Sequence, residues 1–215
     1  MEKVFDNNKV SICGEIVSGF TYSHDVFGEG FYLFDLKVNR FSEAADVIPV
    51  MVSERIIDVE QDLSGYFVKI NGQFRSYNRH IGGHNRLVLS VFAREITFIN
   101  GLLEEYVEDG TNDIFLDGYV CKQPIYRKTP LGREIADVLL AVNRPYGKSD
   151  YIPCILWGRN ARFSESFEVG ERIKVWGRIQ SREYQKRIAD DEFEKRVAYE
   201  VSVGKVEEVT EDERY

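Results

Sequence analysis

The chain has 215 residues and a net charge of −8, which is enough length for one large domain or for two of about 100 residues. No apolar run reaches the roughly 18 residues of a membrane span, and no signal segment follows Met1, so the sequence predicts an intracellular, cytoplasmic protein. Cys13, Cys121 and Cys154 lack C-x-x-C spacing, so we expect reduced core thiols rather than metal or redox ligands.

Charge is distributed unevenly along the chain. Residues 1–110 carry 10 basic and 17 acidic side chains, residues 111–205 carry 17 and 14, and residues 206–215 carry 1 and 5, which gives net charges of −7, +3 and −4. Local patches rather than totals attract a polyanion. The second half is therefore where a polyanionic partner is expected.

An internal repeat divides the chain. At an offset of 104, residues 38–40 match residues 142–144 as Val-Asn-Arg. Further identities at offsets of 104 and then 105 are Gly14/Gly118, Leu36/Leu140, Asp46/Asp150, Ile48/Ile152, Pro49/Pro153, Lys69/Lys174, Gly72/Gly177 and Ser76/Ser181. A period this long matches a small domain rather than a solenoid unit. We predict two domains, residues 1–107 and 108–215, which are joined within the acidic segment 101–112.

Each half is predicted to form five strands with period-two alternation. In the first unit the strands are 9–17, 31–40, 46–53, 66–77 and 86–97, with a helix expected at 54–63. In the second they are 113–121, 135–144, 150–157, 172–184 and 196–206, with a helix expected at 161–169. This order is that of an OB-fold. The predicted fold is all-β: two tandem five-stranded OB-fold barrels, each with a short helix between strands 3 and 4.

Alternation also sorts the side chains of the second unit into a core set and an outer set. The inward set in strands 150–157 and 172–184 is Ile152, Cys154, Leu156, Ile173, Val175 and Ile179. The outward set is Tyr151, Pro153, Ile155, Trp157, Lys174, Trp176, Arg178, Gln180, Arg182 and Tyr184. Neighbouring turns add Tyr126, Arg127, Lys128, Lys186, Arg187, Lys195 and Arg196. The predicted outer face is therefore rich in cations and aromatic rings.

Aromatic rings interleaved with Lys and Arg on an open sheet are typical of single-strand binding. Cations neutralise phosphates, and each base stacked on a ring contributes about 1–3 kcal/mol. Every base has a π-face, so the pattern predicts binding of single-stranded DNA without sequence preference, and it does not distinguish DNA from RNA. We expect Arg144, Lys174, Arg178 and Arg182 to hold the backbone.

The first unit differs at the equivalent outer positions. They hold Val47, Pro49, Met51 and Ser53 on one strand, and Lys69, Asn71, Gln73, Arg75 and Tyr77 on the next. Only one of these is aromatic, and the domain is acidic. We therefore expect the first unit mainly to support assembly and to extend a DNA track weakly.

Four segments of the second unit resemble the bacterial single-stranded DNA-binding proteins. They are Tyr-Arg-Lys-Thr-Pro-Leu-Gly at 126–132, Leu-Ala-Val-Asn-Arg at 140–144, Asp-Tyr-Ile-Pro-Cys-Ile-Leu-Trp-Gly at 150–158 and Val-Trp-Gly-Arg-Ile-Gln-Ser-Arg-Glu-Tyr at 175–184. The resemblance implies that Tyr151, Trp157 and Tyr184 stack on bases. It also implies a role in DNA replication, recombination or repair, and a homodimer with four OB-folds.

No catalytic constellation is visible, and no cofactor, metal or enzymatic activity is expected. His80 and His84 flank Gly82 and Gly83 in a hairpin, without a nearby Cys or carboxylate to complete a ligand set. One alternative stays open: the outer face could bind a protein, as in an OB-fold interaction module or a primosome-type accessory protein of replication restart. Burial of Trp157 and Tyr184 at a subunit contact would favour that alternative.

Overall fold

The computed structural model describes residues 6–40, 42, 44–81, 84–99, 112–189 and 192–209, without the side chains of residues 78–86 and 187–192. The first unit contains β1 (Asn8–Ile16), β2 (Thr21–Val26), β3 (Glu29–Asn39), β4 (Ala45–Ser53), β5 (Phe67–Ile81) and β6 (His84–Phe98). The second contains β7 (Asn112–Val120), β8 (Ile125–Lys128), β9 (Glu134–Asn143), β10 (Ser149–Trp157), α1 (Arg159–Phe163), β11 (Arg172–Ala189) and β12 (Glu192–Glu208). The boundary predicted between residues 107 and 108 lies outside the described residues.

Each unit closes into a barrel around its own apolar core. In the first unit β1 pairs with both β3 and β5, β3 pairs with β4, and β4 runs parallel to β6. In the second, β7 pairs with β9 and β11, and β10 runs parallel to β12. The ten predicted strands are all present, so the all-β, tandem-barrel prediction is confirmed. Two short edge strands, β2 and β8, were not predicted.

The connection between the third and fourth barrel strands differs between the units. In the second unit α1 and a following 3-10 turn at Ser164–Ser166 occupy the predicted position. In the first unit the predicted helix at residues 54–63 is wrong, because Asp58 and Asp62 accept hydrogen bonds from the N–H groups of Glu60 and Ser64 and so form turns. No helix of the described residues is long and apolar enough to cross a membrane.

The cysteines carry free thiols. Cys13 and Cys154 are buried in the strands, as predicted, and burial raises the pKa of the Cys154 thiol well above its usual value. Cys121 instead follows the end of β7 and is half-buried, so its placement in the core was wrong. Its pKa is also raised by burial. Neither Cys121 nor Cys154 therefore has the low pKa of a reactive thiolate.

The two barrels share one continuous sheet. Strands β1 and β7 pair antiparallel, with Val10 opposite Ile114, so the twelve strands form a single hydrogen-bonded order. The N–H of Asp117 extends this pairing by donating to the carbonyl oxygen of Asn7 at 2.8 Å. The first and second units are therefore joined by main-chain hydrogen bonds as well as by side chains.

Reciprocal contacts between a buried aspartate and a serine lock the units together. The Asp46 carboxylate accepts the N–H of Ser181 at 2.7 Å and its hydroxyl at 2.9 Å. In the mirror contact, the Asp150 carboxylate accepts the N–H of Ser76 at 2.7 Å, while the Ser76 hydroxyl accepts the N–H of Tyr151 at 2.7 Å. These aspartates and serines are among the identities of the repeat, which indicates that the duplication preserved the contact.

The two aspartates differ in their cationic partners. Arg40 makes two hydrogen bonds of 2.7 Å to Asp46, whereas Arg144 approaches Asp150 only to 3.3 Å and forms no hydrogen bond through its Nε with any described residue. Burial acts to raise both carboxyl pKa values. For Asp46 the bonds from Arg40 and Ser181 outweigh burial and lower the pKa, but for Asp150 burial prevails and the pKa is raised.

The opposite shifts give opposite contributions to the pH dependence of folding. Ionised Asp46 stabilises the fold above its unfolded pKa of about 3.9, and this stability is lost as the pH falls through the lower folded pKa. Asp150 favours folding when it is protonated, and that contribution is lost as the pH rises through its raised folded pKa.

We expect Asp46→Asn to lower the free energy of unfolding at pH 7 by roughly 3 kcal/mol, because it leaves the Arg40 charge without its carboxylate. The matched variant Asp150→Asn should cost less than about 1 kcal/mol, since the raised pKa of Asp150 favours a neutral side chain in the fold, and the amide oxygen of Asn can still accept the Ser76 N–H. Urea denaturation of both variants measures the difference. Equal losses would show that the two contacts are equivalent despite their geometry.

Candidate nucleic-acid interface

The outer surface of β10, β11 and β12, called here the second-unit face, carries Tyr151, Trp157, Trp176, Arg178, Arg182 and Tyr184. At its centre the indole N–H of Trp157 donates to the Ser202 hydroxyl at 3.0 Å, and the ring stays 38% exposed. Ser202 lies directly opposite Arg178 in the β11–β12 ladder. An exposed indole and a guanidinium are thus held on either side of one serine.

A β-bulge positions the second tryptophan. Between Trp176 and Gly177 the pairing shifts, so that Trp176 lies opposite Lys205, Gly177 lies opposite Val203, and Gly204 is the extra residue. The Lys205 ammonium therefore lies 4.5 Å from the centroid of the Trp176 ring. Phe115 on β7 packs beside the same ring at 5.1 Å. Trp176 is half-buried, and its exposed part borders a cation that alternation alone did not identify.

The hairpin of β11 and β12 extends the face with further rings and charges. Tyr184 is 36% exposed, lies opposite Arg196, and has the Arg182 guanidinium 5.9 Å from its ring centroid. Arg182 also lies 3.6 Å from the Glu200 carboxylate. Tyr151, 46% exposed, lies on β10. Lys186 is exposed opposite Glu194. Predicted stacking and phosphate-binding side chains therefore share this surface.

Some predicted outer positions are buried or compensated. Ile155 and Gln180 lie on the predicted outer side, opposite Ser202 and Glu200, but both are buried there, and the Gln180 amide donates to Glu200 at 2.8 Å, so neither is part of the exposed surface. Lys174 lies opposite Asp117 on β7 and Glu207 on β12 in the strand pairing, and Glu207 forms an ion pair with Lys205 at 2.6 Å. The cationic part of the face is therefore centred on Arg178, and the exposed side chains of Arg182 and Lys205, each near one glutamate, lie on either side of it.

The segment 125–128 forms strand β8 rather than the predicted loop, and this changes where its side chains point. Tyr126 packs against the core, and the hydrogen bond from its hydroxyl to Glu134 at 2.8 Å raises its pKa. Arg127 forms a bidentate ion pair with Asp137 at 2.8 and 3.2 Å. Lys128 is exposed at the strand end. Tyr126 is thus not part of an open stacking surface.

Arg144 lies at the junction of the two units, away from the second-unit face. It pairs with Asp150 and lines a groove of about 660 Å³ that belongs mainly to the first unit. The other lining residues include Tyr22, His24, Arg75, Tyr77 and Phe92. Tyr77 is the one aromatic residue among the outer positions considered in the sequence, but the first unit presents further rings from other strands. Tyr22 and His24 lie on the unpredicted β2, and Phe92 lies on β6, whose outer face was not considered.

The sequence predicts no metal site at His80 and His84. The side chains of His80 and His84 lie outside the described residues. Within the part of the chain that the structure describes, no group of three His, Cys, Asp or Glu side chains is arranged to hold a metal ion.

Comparisons with known proteins agree on one family. The profile of the single-strand binding protein family matches residues 111–209. Single-stranded DNA-binding protein B of Bacillus subtilis is 36% identical over 81 residues, which cover 34% of this chain and 72% of that protein. Single-stranded DNA-binding protein 3 of Listeria innocua is 36% identical over 81 residues, which cover 34% of this chain and 51% of its own length, so the chain spans about half of that relative.

A solved structure extends the likeness to the whole chain. The single-stranded DNA binding protein from Thermus aquaticus superposes with a TM-score of 0.72 and 18% identity, covering 94% of this chain and 93% of that one. At this identity the likeness concerns the fold alone. Both barrels, and not only the second, therefore have counterparts in that structure.

We expect Gly177→Ala to destabilise the protein by about 2 kcal/mol, because a Cβ at this position would lie too close to the Ser202 carbonyl oxygen and force the bulge to shift. Gly204→Ala is the matched control, since the nearest heavy atom to its added Cβ is 3.8 Å away. It should change stability by less than about 0.5 kcal/mol. Thermal unfolding measures both, and a harmless Gly177→Ala would contradict this account of the bulge.

Proposed function

Because the chain belongs to the single-strand binding protein family, we propose that it binds single-stranded DNA through the second-unit face. Bases stack on Trp157, Tyr151 and Tyr184, and Arg178, Arg182 and Lys205 neutralise phosphates. Binding is independent of sequence, because stacking uses the π-face that every base has. The protein acts by covering the strand and not by catalysis.

The observation that carries this proposal is the exposed indole of Trp157 beside Arg178. Its single polar atom is satisfied by Ser202, so the side chain is fixed while more than a third of it remains open. A hydrogen-bonded and half-exposed tryptophan on a sheet favours a binding surface over a core position. Arg178 has no carboxylate partner among the described residues, which leaves its charge available for a phosphate.

The alternative of a protein-interaction or primosome-type module is not favoured, because the relatives are named for single-stranded DNA binding. The proposal places the chain in replication, recombination or repair of DNA in the cytoplasm. With domains at residues 1–107 and 108–215, a homodimer would hold four OB-folds. RNA is a competitor to be tested, since stacking accepts either type of strand.

We expect Trp157→Ala to weaken binding of a thymine oligonucleotide by 1–3 kcal/mol, or roughly 5- to 100-fold, because one stacked base loses its ring. Tyr184→Ala should act in the same direction. Fluorescence anisotropy of a labelled strand measures the affinities. Tyr66→Ala, which removes an exposed ring from the first unit, is the control and should bind like wild type. Wild-type affinity of all three variants would refute the proposed surface.

A further inference from the structure

Three arginines gather where the two units meet. Arg75 on β5 and Arg144 after β9 line both the groove of about 660 Å³ and an adjoining groove of about 440 Å³. Arg94 on β6 lines the second groove. These three residues are called here the junction arginines. They come from both units, so no fragment of one barrel contains them all.

Neutral groups hold two of the junction arginines, Arg75 and Arg94. Arg75 lies 4.0 Å over the Phe92 ring and donates to the Gln73 amide oxygen at 2.8 Å, and Arg94 reaches the same oxygen at 3.4 Å. Neither forms an ion pair with a described carboxylate. A neutral ring and a neutral amide therefore hold two guanidiniums in place without cancelling their charge.

Arg144 is held less completely than its counterpart in the other unit. Arg40 places two hydrogen bonds of 2.7 Å on Asp46, whereas the buried Nε of Arg144 and Oδ2 of Asp150 face each other at 3.3 Å without a hydrogen bond, and neither has another hydrogen-bond partner among the described residues. The remaining carboxylates that line the smaller groove are engaged elsewhere: Asp6 pairs with Lys9 at 2.7 Å, and Glu95 accepts from Asn71 at 3.1 Å. Glu95 keeps its negative charge, but among the described residues only Asp150 forms an ion pair with a junction arginine.

The three guanidinium groups repel one another in the absence of an anion. Burial, followed by the charges of Arg94 and Arg144, lowers the pKa of Arg75 to about 10, against a smaller opposing effect of Asp150. Guanidiniums that are close together, incompletely paired and still accessible are suited to a phosphate, which can accept several hydrogen bonds from them.

We propose that the junction arginines bind a backbone phosphate of single-stranded DNA and carry the strand from the second-unit face onto the first unit. This inference rests on the proposed function. Continuity supports it, because the main chain of Tyr151 on that face bonds to Ser76, the neighbour of Arg75. Beyond the arginines, the larger groove offers the rings of Tyr22, which is 59% exposed, and His24.

The test compares a short thymine strand of about 10 nucleotides, enough for one barrel, with one of about 30 that can span both. The variants are Arg94→Gln, which changes an exposed side chain, and Arg75→Gln/Arg94→Gln. Arg55→Gln is the matched control, because Arg55 is an exposed arginine of the first unit outside both grooves. Circular dichroism verifies that each variant is folded.

The double variant should keep wild-type affinity for the short strand and lose on the order of tenfold for the long strand. The slope of log affinity against log salt should fall by about 0.7 for each phosphate contact removed. If the double variant is unfolded, the single variant Arg94→Gln provides the test. Its salt slope for the long strand should be smaller than that of the wild-type protein. If the double variant bound the long strand with the same affinity and the same salt slope as Arg55→Gln, this inference would be overturned, and the proposed function would still stand. A wild-type protein that bound neither strand would overturn the proposed function as well.

Discussion

The paired contacts between a buried aspartate and a serine of the opposite unit determine how the two barrels are arranged. Asp46 with Ser181, and Asp150 with Ser76, each connect the start of a third barrel strand to the fourth strand of the neighbouring unit. Together with the β1–β7 pairing, they fix the two outer surfaces relative to each other. A binding surface that extends over both units depends on this arrangement, since single-stranded DNA is flexible and a mobile joint would not preorganise a path for it.

The duplication preserved the positions that build the scaffold and changed the ones that face outward. Aspartates, serines and close-approach glycines recur in both halves, whereas Ser53 stands where the second unit has Trp157, and Gln73 stands where it has Arg178. Even the shared arginine has two roles: Arg40 is fully bonded to its aspartate, while Arg144 is not. The same fold therefore presents a ring-bearing sheet in one unit and a groove beside three cations in the other.

The local sequence pattern predicted the strands, the helix at α1 and most of the core, because alternation and turn residues depend only on neighbouring residues in the sequence. It did not predict features that depend on distant segments. Gln180 is buried by Glu200 on another strand, and Lys205 reaches Trp176 through a bulge that changes the alternation. Tyr126 turned inward because an unpredicted edge strand formed. The junction arginines could not be found from either half alone, since only folding brings Arg75, Arg94 and Arg144 together.

Intrinsic tryptophan fluorescence tests the central claim most directly, because Trp157 and Trp176 are the only tryptophans and both lie on the second-unit face. The wild-type protein is titrated with a thymine homopolymer and with duplex DNA, at low and high salt. The account predicts strong quenching by the single strand, weaker quenching as salt rises, and little response to the duplex. Absence of quenching by the single strand, together with unchanged mobility of that strand in a gel, would contradict it.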